Sequence, residues 1–263
     1  MRRLDVVLLV LASLLGVGCS TVERLNPFGS SGPVVKPNEL VTLQLTADVK
    51  SVWQASVGSA GSNSFSPAIV GESIYAGARD GSLTRFDGGR QVWRIAAGQI
   101  ISGGVGSDGK LVVVGTPKGE VLAFDASNGR ELWKARVSSE VLAAPAIADG
   151  LVVVRSGDAR IFGFDAMDGK RRWVYQRSTP ALALRTSVGV LLAGKFTLAG
   201  FPGGKLVAIA NNNGAAVWEV TVALPKGSTE LERVADVTSI PAVSGSTICA
   251  AAFQGRIACF ESN

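Results

Sequence analysis

The chain has 263 residues, a formal net charge of +5 and no histidine. Without an imidazole it lacks the base of a Ser-His-Asp triad or a Cys-His dyad and the side chain that most often binds zinc, so most hydrolase and zinc chemistry is excluded. The basic residues are scattered, and no run is longer than the Lys-Arg-Arg at 170–172, so the charge does not indicate binding of nucleic acid.

Residues 1–18 have the pattern of a signal peptide. A charged Met-Arg-Arg start precedes the apolar run at 6–18, which is too short to span a bilayer comfortably. Small residues followed by Cys19 resemble the bacterial lipoprotein signal, in which the cysteine becomes the lipidated first residue, although Gly16 stands where leucine is usual. Ser20 after the cysteine resembles lipoproteins sorted to the outer membrane. The alternative is an ordinary secretory signal in which Cys19 is incidental.

Residues 19–40 predict a flexible tether that follows this cysteine. They contain three prolines and show no hydrophobic periodicity. A flexible segment of about 20 residues has an end-to-end distance of roughly 25 Å.

Residues 41–263 carry an internal repeat. Successive tryptophans are 40, 40, 40 and 45 residues apart, and all five tryptophans of the chain take part: Trp53, Trp93, Trp133, Trp173 and Trp218. One period, 141–176, contains four short apolar runs separated by Gly and Asp turn signals, which indicates four antiparallel strands. Four-stranded units of about 40 residues in tandem predict an all-β fold, the β-propeller.

A motif of the form F-D-x-x-x-G-x-x-x-W recurs in these units, as "FDASNGRELW" from Phe124 and "FDAMDGKRRW" from Phe164, with a shortened copy from Phe86. We expect each tryptophan to pack against the neighbouring blade rather than to form a stacking platform for ligands. We also expect the aspartates of the motif to open turns, because equivalent positions on successive blades keep carboxylates too far apart for joint catalysis.

The same motif resembles the propeller family of pyrroloquinoline quinone enzymes. Those enzymes hold the quinone with calcium and often an adjacent cysteine pair, and the sequence shows neither feature. The stretch "GVGSDG" at 104–109 matches a dinucleotide-binding pattern, but a strand follows it where that motif needs a helix. We therefore predict no cofactor, no metal and no enzymatic activity, with a periplasmic quinone-dependent dehydrogenase as the alternative.

The whole chain resembles the BamB family, lipoproteins of the outer-membrane β-barrel assembly machine (BAM). The most specific segments are "LALRTS" at 182–187 and "PKGSTELERVADVTSIPAV" at 225–243, where the repeat lengthens. The resemblance implies a noncatalytic scaffold that is anchored by lipid to the periplasmic face of the outer membrane and assists insertion of β-barrel proteins. It implies the POTRA domains of BamA and other BAM subunits as partners, while direct contact with unfolded client proteins stays open.

The resemblance also implies contact residues for BamA, carried over by position: Leu182, Leu184, Arg185 and Asp236. Two leucines would supply apolar anchors, Arg185 a bidentate donor, and Asp236 either a partner charge or a brace for Arg185. Thr238 stands where the family commonly has a second aspartate. The alternative is that the two leucines face the core of a strand.

The end of the chain leaves two readings open. The family has eight blades, whereas this chain supplies about five: a leading tryptophan strand at 51–57, four full units and three strands from about 238 to 262. We expect a C-terminally incomplete propeller; the alternative is a five-bladed ring in which the leading strand completes the last blade.

The last hairpin contains two of the three cysteines. Cys249 and Cys259 flank a turn near Gln254, which would place them opposite one another. They are predicted to form either a cross-strand disulfide or two small buried thiols.

Overall fold

The computed structural model describes residues 46–261 together with Glu39 and Thr42. The chain divides into two compact units, 1–50 and 51–263, and the described residues of the first unit form no strand or helix. The predicted signal peptide at 1–18, Cys19 and nearly all of the tether at 19–40 lie outside the described residues.

The second unit is built from antiparallel sheets whose strands are hydrogen-bonded in chain order. Four sheets have four strands each: β1 Ala68–Val70, β2 Ser73–Gly77, β3 Ser82–Asp87 and β4 Arg90–Ala96; β5 Gly103–Ser107, β6 Leu111–Gly115, β7 Glu120–Asp125 and β8 Glu131–Arg136; β9 Ala146–Ala148, β10 Leu151–Arg155, β11 Ile161–Asp165 and β12 Arg171–Tyr175; β13 Leu191–Ala193, β14 Phe196–Phe201, β15 Lys205–Ala210 and β16 Ala216–Thr221. A fifth sheet has three strands in the described residues: β17 Ala242–Ser244, β18 Thr247–Ala252 and β19 Arg256–Glu261.

The hydrophobic core lies between neighbouring sheets. One cluster joins Val121 and Trp133 of the second sheet to Val152 and Phe162 of the third, and equivalent clusters lie between the other consecutive sheets. In the second, third and fourth sheets both faces of the middle strands are therefore covered, which explains why every residue of β6 is buried. Four-stranded sheets that pack face to face in chain order confirm the predicted β-propeller fold.

The recurring motif forms the joint between one blade and the next. Trp93, Trp133 and Trp173 each lie on the outermost strand of a blade. Their indole N–H groups donate to carbonyls 33 to 38 residues further along the chain: Trp93 to Ala126 at 3.0 Å, Trp133 to Ala166 at 2.9 Å and Trp173 to Asn211 at 2.8 Å. The glycine of the next motif leaves room for the ring. A Cβ at Gly169 would lie 2.5 Å from Cε3 of Trp133.

The aspartates of the full motifs organise the turn beside this joint. The Oδ1 atoms of Asp125 and Asp165 each accept a backbone N–H from two residues further on, both at 2.8 Å. In the shortened copy, Asp87 instead accepts from Nε of Arg85 at 2.9 Å. The motif therefore serves structure at all three places.

The strand expected at 51–57 is absent. These residues form no strand, although the ring of Trp53 lies 5.8 Å from that of Phe86. The same ring lies against Gly89, as the rings of Trp93, Trp133 and Trp173 lie against Gly129, Gly169 and Gly214. A tryptophan can occupy this joint without strand pairing, which the spacing alone does not reveal. Residues 51–57 accordingly do not complete the sheet of β19.

Cys249 and Cys259 are directly opposite each other on β18 and β19 and form a disulfide in the structure. Gln254 lies in the turn between these strands with a positive φ of 66°. The bond therefore crosslinks the last described hairpin.

Gly169→Ala tests the blade joint. Gly169 has a φ of +71° and lies against Trp133, whereas Gly150 has a φ of +73° with nothing within 4 Å of an added Cβ. Both alanines impose left-handed strain of about 1 to 2 kcal/mol, but only Gly169→Ala also displaces the indole, which should cost about 1 to 3 kcal/mol more. Urea unfolding followed by tryptophan fluorescence measures the difference, and equal losses in the two variants would contradict this account of the joint.

Candidate functional site

The lengthened connections between blades leave the sheets at one edge. The segment 176–190 joins β12 to β13, and the segment 222–241 joins β16 to β17. Because the strands of each blade alternate in direction, these connections leave on the same side as the turns between second and third strands, such as 156–160. We call this side the connection face. The turns of the motif, including Arg130, lie at the opposite edge.

Asp236 ties the two long connections together. Its Oδ2 accepts the backbone N–H of Leu184 at 2.7 Å, and its Oδ1 accepts that of Gly203 at 3.1 Å. Its own backbone carbonyl accepts the N–H of Phe253 at 2.8 Å. The side chain is only 3% exposed. The carboxylate of Asp236 thus holds the 182–185 segment against the fourth blade, and its backbone carbonyl is bonded to the fifth.

This geometry corrects the direct contact expected of Asp236, because a buried carboxylate whose oxygens accept backbone amides presents no charge at the surface. It does not brace Arg185 either. The Nε and Nη2 of Arg185 donate to the two carboxylate oxygens of Glu140, each at 2.8 Å. Asp236 positions the backbone of the site.

Glu140 is a site residue that sequence reasoning missed. It lies in the short connection between β8 and β9, one blade before Arg185. Hydrogen bonding to Arg185 lowers the pKa of Glu140, and the same pair raises the pKa of Arg185. The Arg185 side chain is nevertheless 67% exposed. Its guanidinium is held in one orientation and still faces solvent.

The two leucines do not lie on a strand. Residues 176–190 contain no strand, so the alternative that Leu182 and Leu184 face the core of one is wrong. Leu182 is 42% exposed, while Leu184 is half-buried beside its bond to Asp236. Thr238 is also half-buried, and its N–H donates to the carbonyl of Ala251 at 3.0 Å.

A capped turn orders the tip of the second connection. Glu232 accepts the N–H of Ser228 at 2.7 Å and that of Thr229 at 3.1 Å, while the Thr229 hydroxyl accepts the N–H of Glu232. These reciprocal bonds are those of a capping box, which the Thr-x-x-Glu spacing signals. The turn presents Leu231, which is 71% exposed and was not among the predicted contact residues.

A cavity of about 320 Å³ opens beside the first connection. Leu184, Arg185 and Thr186 line it on one side, and Arg155, at the end of β10, lines it on the other. Burial lowers the pKa of Arg155 to about 10, and the charge of Asp236 opposes this shift.

The described residues show no cluster of side chains that could hold a metal ion. In the part of the chain that the structure describes, no helix has the length and apolarity of a membrane span. The connection face presents apolar side chains, a guanidinium held by Glu140 and a cavity, an arrangement that suits recognition of another molecule.

Asp236→Asn should loosen the 182–185 segment, because the amide keeps the shape of the side chain but loses the charge-assisted bonds to two buried N–H groups. We expect hydrogen exchange of the Leu184 amide to become at least tenfold faster and the free energy of unfolding to fall by about 2 kcal/mol. Nuclear magnetic resonance measures the exchange. Thr238→Ala, two residues away, is the control that leaves Leu184 unchanged. Unaltered exchange at Leu184 in folded Asp236→Asn would refute the brace.

Comparison with known proteins gives the family. A family model described as "Outer membrane protein assembly factor BamB" matches residues 79–263. The protein of that name from Bordetella pertussis is 45% identical over 255 residues, which cover 96% of this chain and 64% of the relative. The crystal structure of BamB from Moraxella catarrhalis is 30% identical with a TM-score of 0.71, covering 75% of this chain and 61% of that one.

A second likeness concerns the fold alone. Quinohemoprotein alcohol dehydrogenase from Comamonas testosteroni has a TM-score of 0.61 but only 16% identity, and the match covers 78% of this chain and 42% of the enzyme. A quinone-dependent dehydrogenase was the alternative that the sequence motif left open. At this identity the likeness shows a shared fold and does not transfer any site residue. The family model matches residues 79–263, and the two BamB relatives named above are 45% and 30% identical to this chain over the matched residues. The chain therefore belongs to the BamB family of outer membrane protein assembly factors.

Proposed function

We propose that this chain is a noncatalytic scaffold that takes part in the assembly of outer-membrane β-barrel proteins, and that its connection face binds the POTRA domains of BamA. The chain spans 64% of the length of its Bordetella pertussis relative, so the proposal concerns the part that the chain contains. The absence of histidine and the name of the family, an assembly factor, support a scaffold rather than an enzyme.

The observation that carries the proposal is the hydrogen bond that the backbone N–H of Leu184 donates to the carboxylate of Asp236. It joins the two connections that lengthen the repeat. Leu182 and Arg185, which flank Leu184 in the same segment, are both exposed. Insertions on one face of a repeat protein are where binding sites usually lie. An exposed leucine beside an oriented arginine has the composition of an interface anchor.

Each residue then has a distinct role. Leu182 and Leu184 give apolar contact, Arg185 donates to an acceptor on BamA, and Asp236 positions all three without touching the partner. Glu140 orients Arg185 by its two hydrogen bonds and would share it with a partner acceptor. Thr238 lies two residues from Asp236 on the same connection and marks the place of the second family aspartate.

Leu184→Ala combined with Arg185→Ala tests the face. Truncation of central interface residues costs about 1 to 4 kcal/mol, so we expect binding to purified BamA POTRA domains to weaken at least tenfold, measured by isothermal titration calorimetry. The propeller should stay folded, because neither side chain belongs to the core clusters between the blades.

Two further variants serve as controls for the double variant. Arg130→Ala, in a motif turn at the opposite edge, should bind like wild type, and Thr238→Asp should bind as well or better. If the double variant is folded and binds POTRA domains with wild-type affinity, the proposed face is wrong.

We further propose that Cys19 is the lipidated N-terminus of the mature protein, which places the propeller at the periplasmic face of the outer membrane. The charged start, the short apolar run and the proline-rich segment after the cysteine support this anchor. We also propose other BAM subunits as partners, because the relatives are named as outer membrane protein assembly factors.

Mass spectrometry of the protein purified from membranes tests the anchor. We expect an N-terminal peptide that begins at Cys19 and carries acyl groups, and we expect Cys19→Ser to lose them. A mature N-terminus at another residue, or an unmodified Cys19, would disprove the lipid anchor and leave the propeller unaffected.

A further inference from the structure

The cavity beside the first connection contains an arginine that the proposed contacts do not use. Arg155 is the last residue of β10, and its Nη1 donates to the carbonyl of Gly200 at 2.6 Å. Its guanidinium lies 5.6 Å from the ring centroid of Phe201. Among the described residues, its other nitrogen atoms have no hydrogen-bond acceptor, and the side chain lines the cavity.

The other charges around the cavity are already paired. The Nε and Nη2 atoms of Arg185 both donate to the carboxylate of Glu140. Asp158 accepts the hydroxyls of Ser138 and Ser156 and forms an ion pair with Arg160. Among the described charged residues that line this cavity, Arg155 is therefore the one that forms no ion pair.

The negative charge of Asp236 offsets only part of the cost of burying the Arg155 guanidinium. Both of its carboxylate oxygens accept backbone N–H groups, from Leu184 and Gly203, and neither forms a hydrogen bond with Arg155 in the described structure. Burial still lowers the pKa of Arg155 to about 10 against the opposing charge of Asp236. A second carboxylate in the cavity would complete the coordination of the guanidinium.

The shape of the site favours a carboxylate on a side chain. A guanidinium presents parallel N–H groups that match a carboxylate bidentately. Two residues with hydroxyl groups, Thr179 and Thr186, line the same cavity. Because Leu184 and Arg185 also line the cavity, a protein that contacts these two residues reaches it directly.

We propose that this cavity receives an aspartate or glutamate side chain of the protein bound at the connection face, with Arg155 as the residue that binds its carboxylate. The proposal rests on the proposed function, and it adds a charged subsite beneath the apolar and arginine contacts at the surface. The bound carboxylate is buried between Arg155 and the threonine hydroxyls, so its pairing is specific to this position.

A double-mutant cycle tests the subsite. In the chain, Arg155→Met removes the charge and the fork while keeping a long unbranched side chain. In the BamA POTRA domains, each aspartate is changed to asparagine and each glutamate to glutamine, one at a time. We expect Arg155→Met to weaken binding about tenfold, one POTRA substitution to weaken it equally, and the two together to cause no further loss.

Matched variants separate this subsite from general charge effects. Arg130→Met removes the same charge at the opposite edge and should leave affinity unchanged. Arg185→Met should weaken binding without coupling to the same POTRA residue. If Arg155→Met does not fold, Arg155→Lys replaces it, because lysine keeps the positive charge and loses the paired N–H groups of the guanidinium. Arg155→Lys should weaken binding several-fold, and this loss should again be non-additive with the substitution of the same POTRA residue.

The outcomes distinguish the two proposals. If folded Arg155→Met or Arg155→Lys binds like wild type while Leu184→Ala with Arg185→Ala binds weakly, the subsite is wrong and the proposed face stands. If the Arg155 loss adds fully to that of every POTRA substitution, the cavity takes no carboxylate and the subsite is again wrong. If the wild-type chain does not bind POTRA domains, both proposals fall.

Discussion

The packing of Trp93, Trp133 and Trp173 against the next blade is the contact on which the rest of the structure depends. The outermost strands are largely exposed, and on β8 the tryptophan is the buried residue. Its indole N–H donates to a carbonyl in the next motif, and a glycine there leaves space for the ring. One ring therefore fixes both the distance and the register between blades, and the connections at the other edge can lengthen without disturbing that joint.

The connection face uses a different device, a buried carboxylate. Removing Asp236 from water is costly unless its oxygens are hydrogen-bonded, and here both accept backbone amides, from Leu184 and Gly203. The segment that carries Leu182 and Arg185 is therefore fixed before any partner binds. A surface arranged in advance loses less conformational entropy on binding than a free loop would.

Much of the fold was predictable from the sequence because a repeat reports its own period. The tryptophan spacing and the glycine-containing turns predict the blades, and the lengthened period locates the two connections of the site. The strand at 51–57 was predicted wrongly, because Trp53 keeps the ring contact of its repeat position without pairing its backbone. The spacing of the tryptophans shows which side chains occupy equivalent positions in the repeat. It does not show whether the backbone around a tryptophan pairs with another strand.

The details of the site were less accessible for a physical reason. Glu140 meets Arg185 across 45 residues, and this pairing depends on how two blades lie side by side rather than on any local pattern. The burial of Asp236 likewise depends on three segments that converge on it. The sequence placed Leu184 and Asp236 in one site, but the carboxylate was expected to be either a partner charge or a brace for Arg185. A sequence alone does not distinguish a surface charge from a buried acceptor.

We propose that the connection face, which Asp236 holds in place, binds BamA. Hydrogen exchange of the unmodified chain, measured by mass spectrometry with and without purified POTRA domains, tests this proposal. We expect the partner to slow exchange in 181–187 and 225–240 and to leave the motif turn at 126–130 unchanged. Protection confined to 126–130 or to other motif turns, with no change in the two connections, would contradict it.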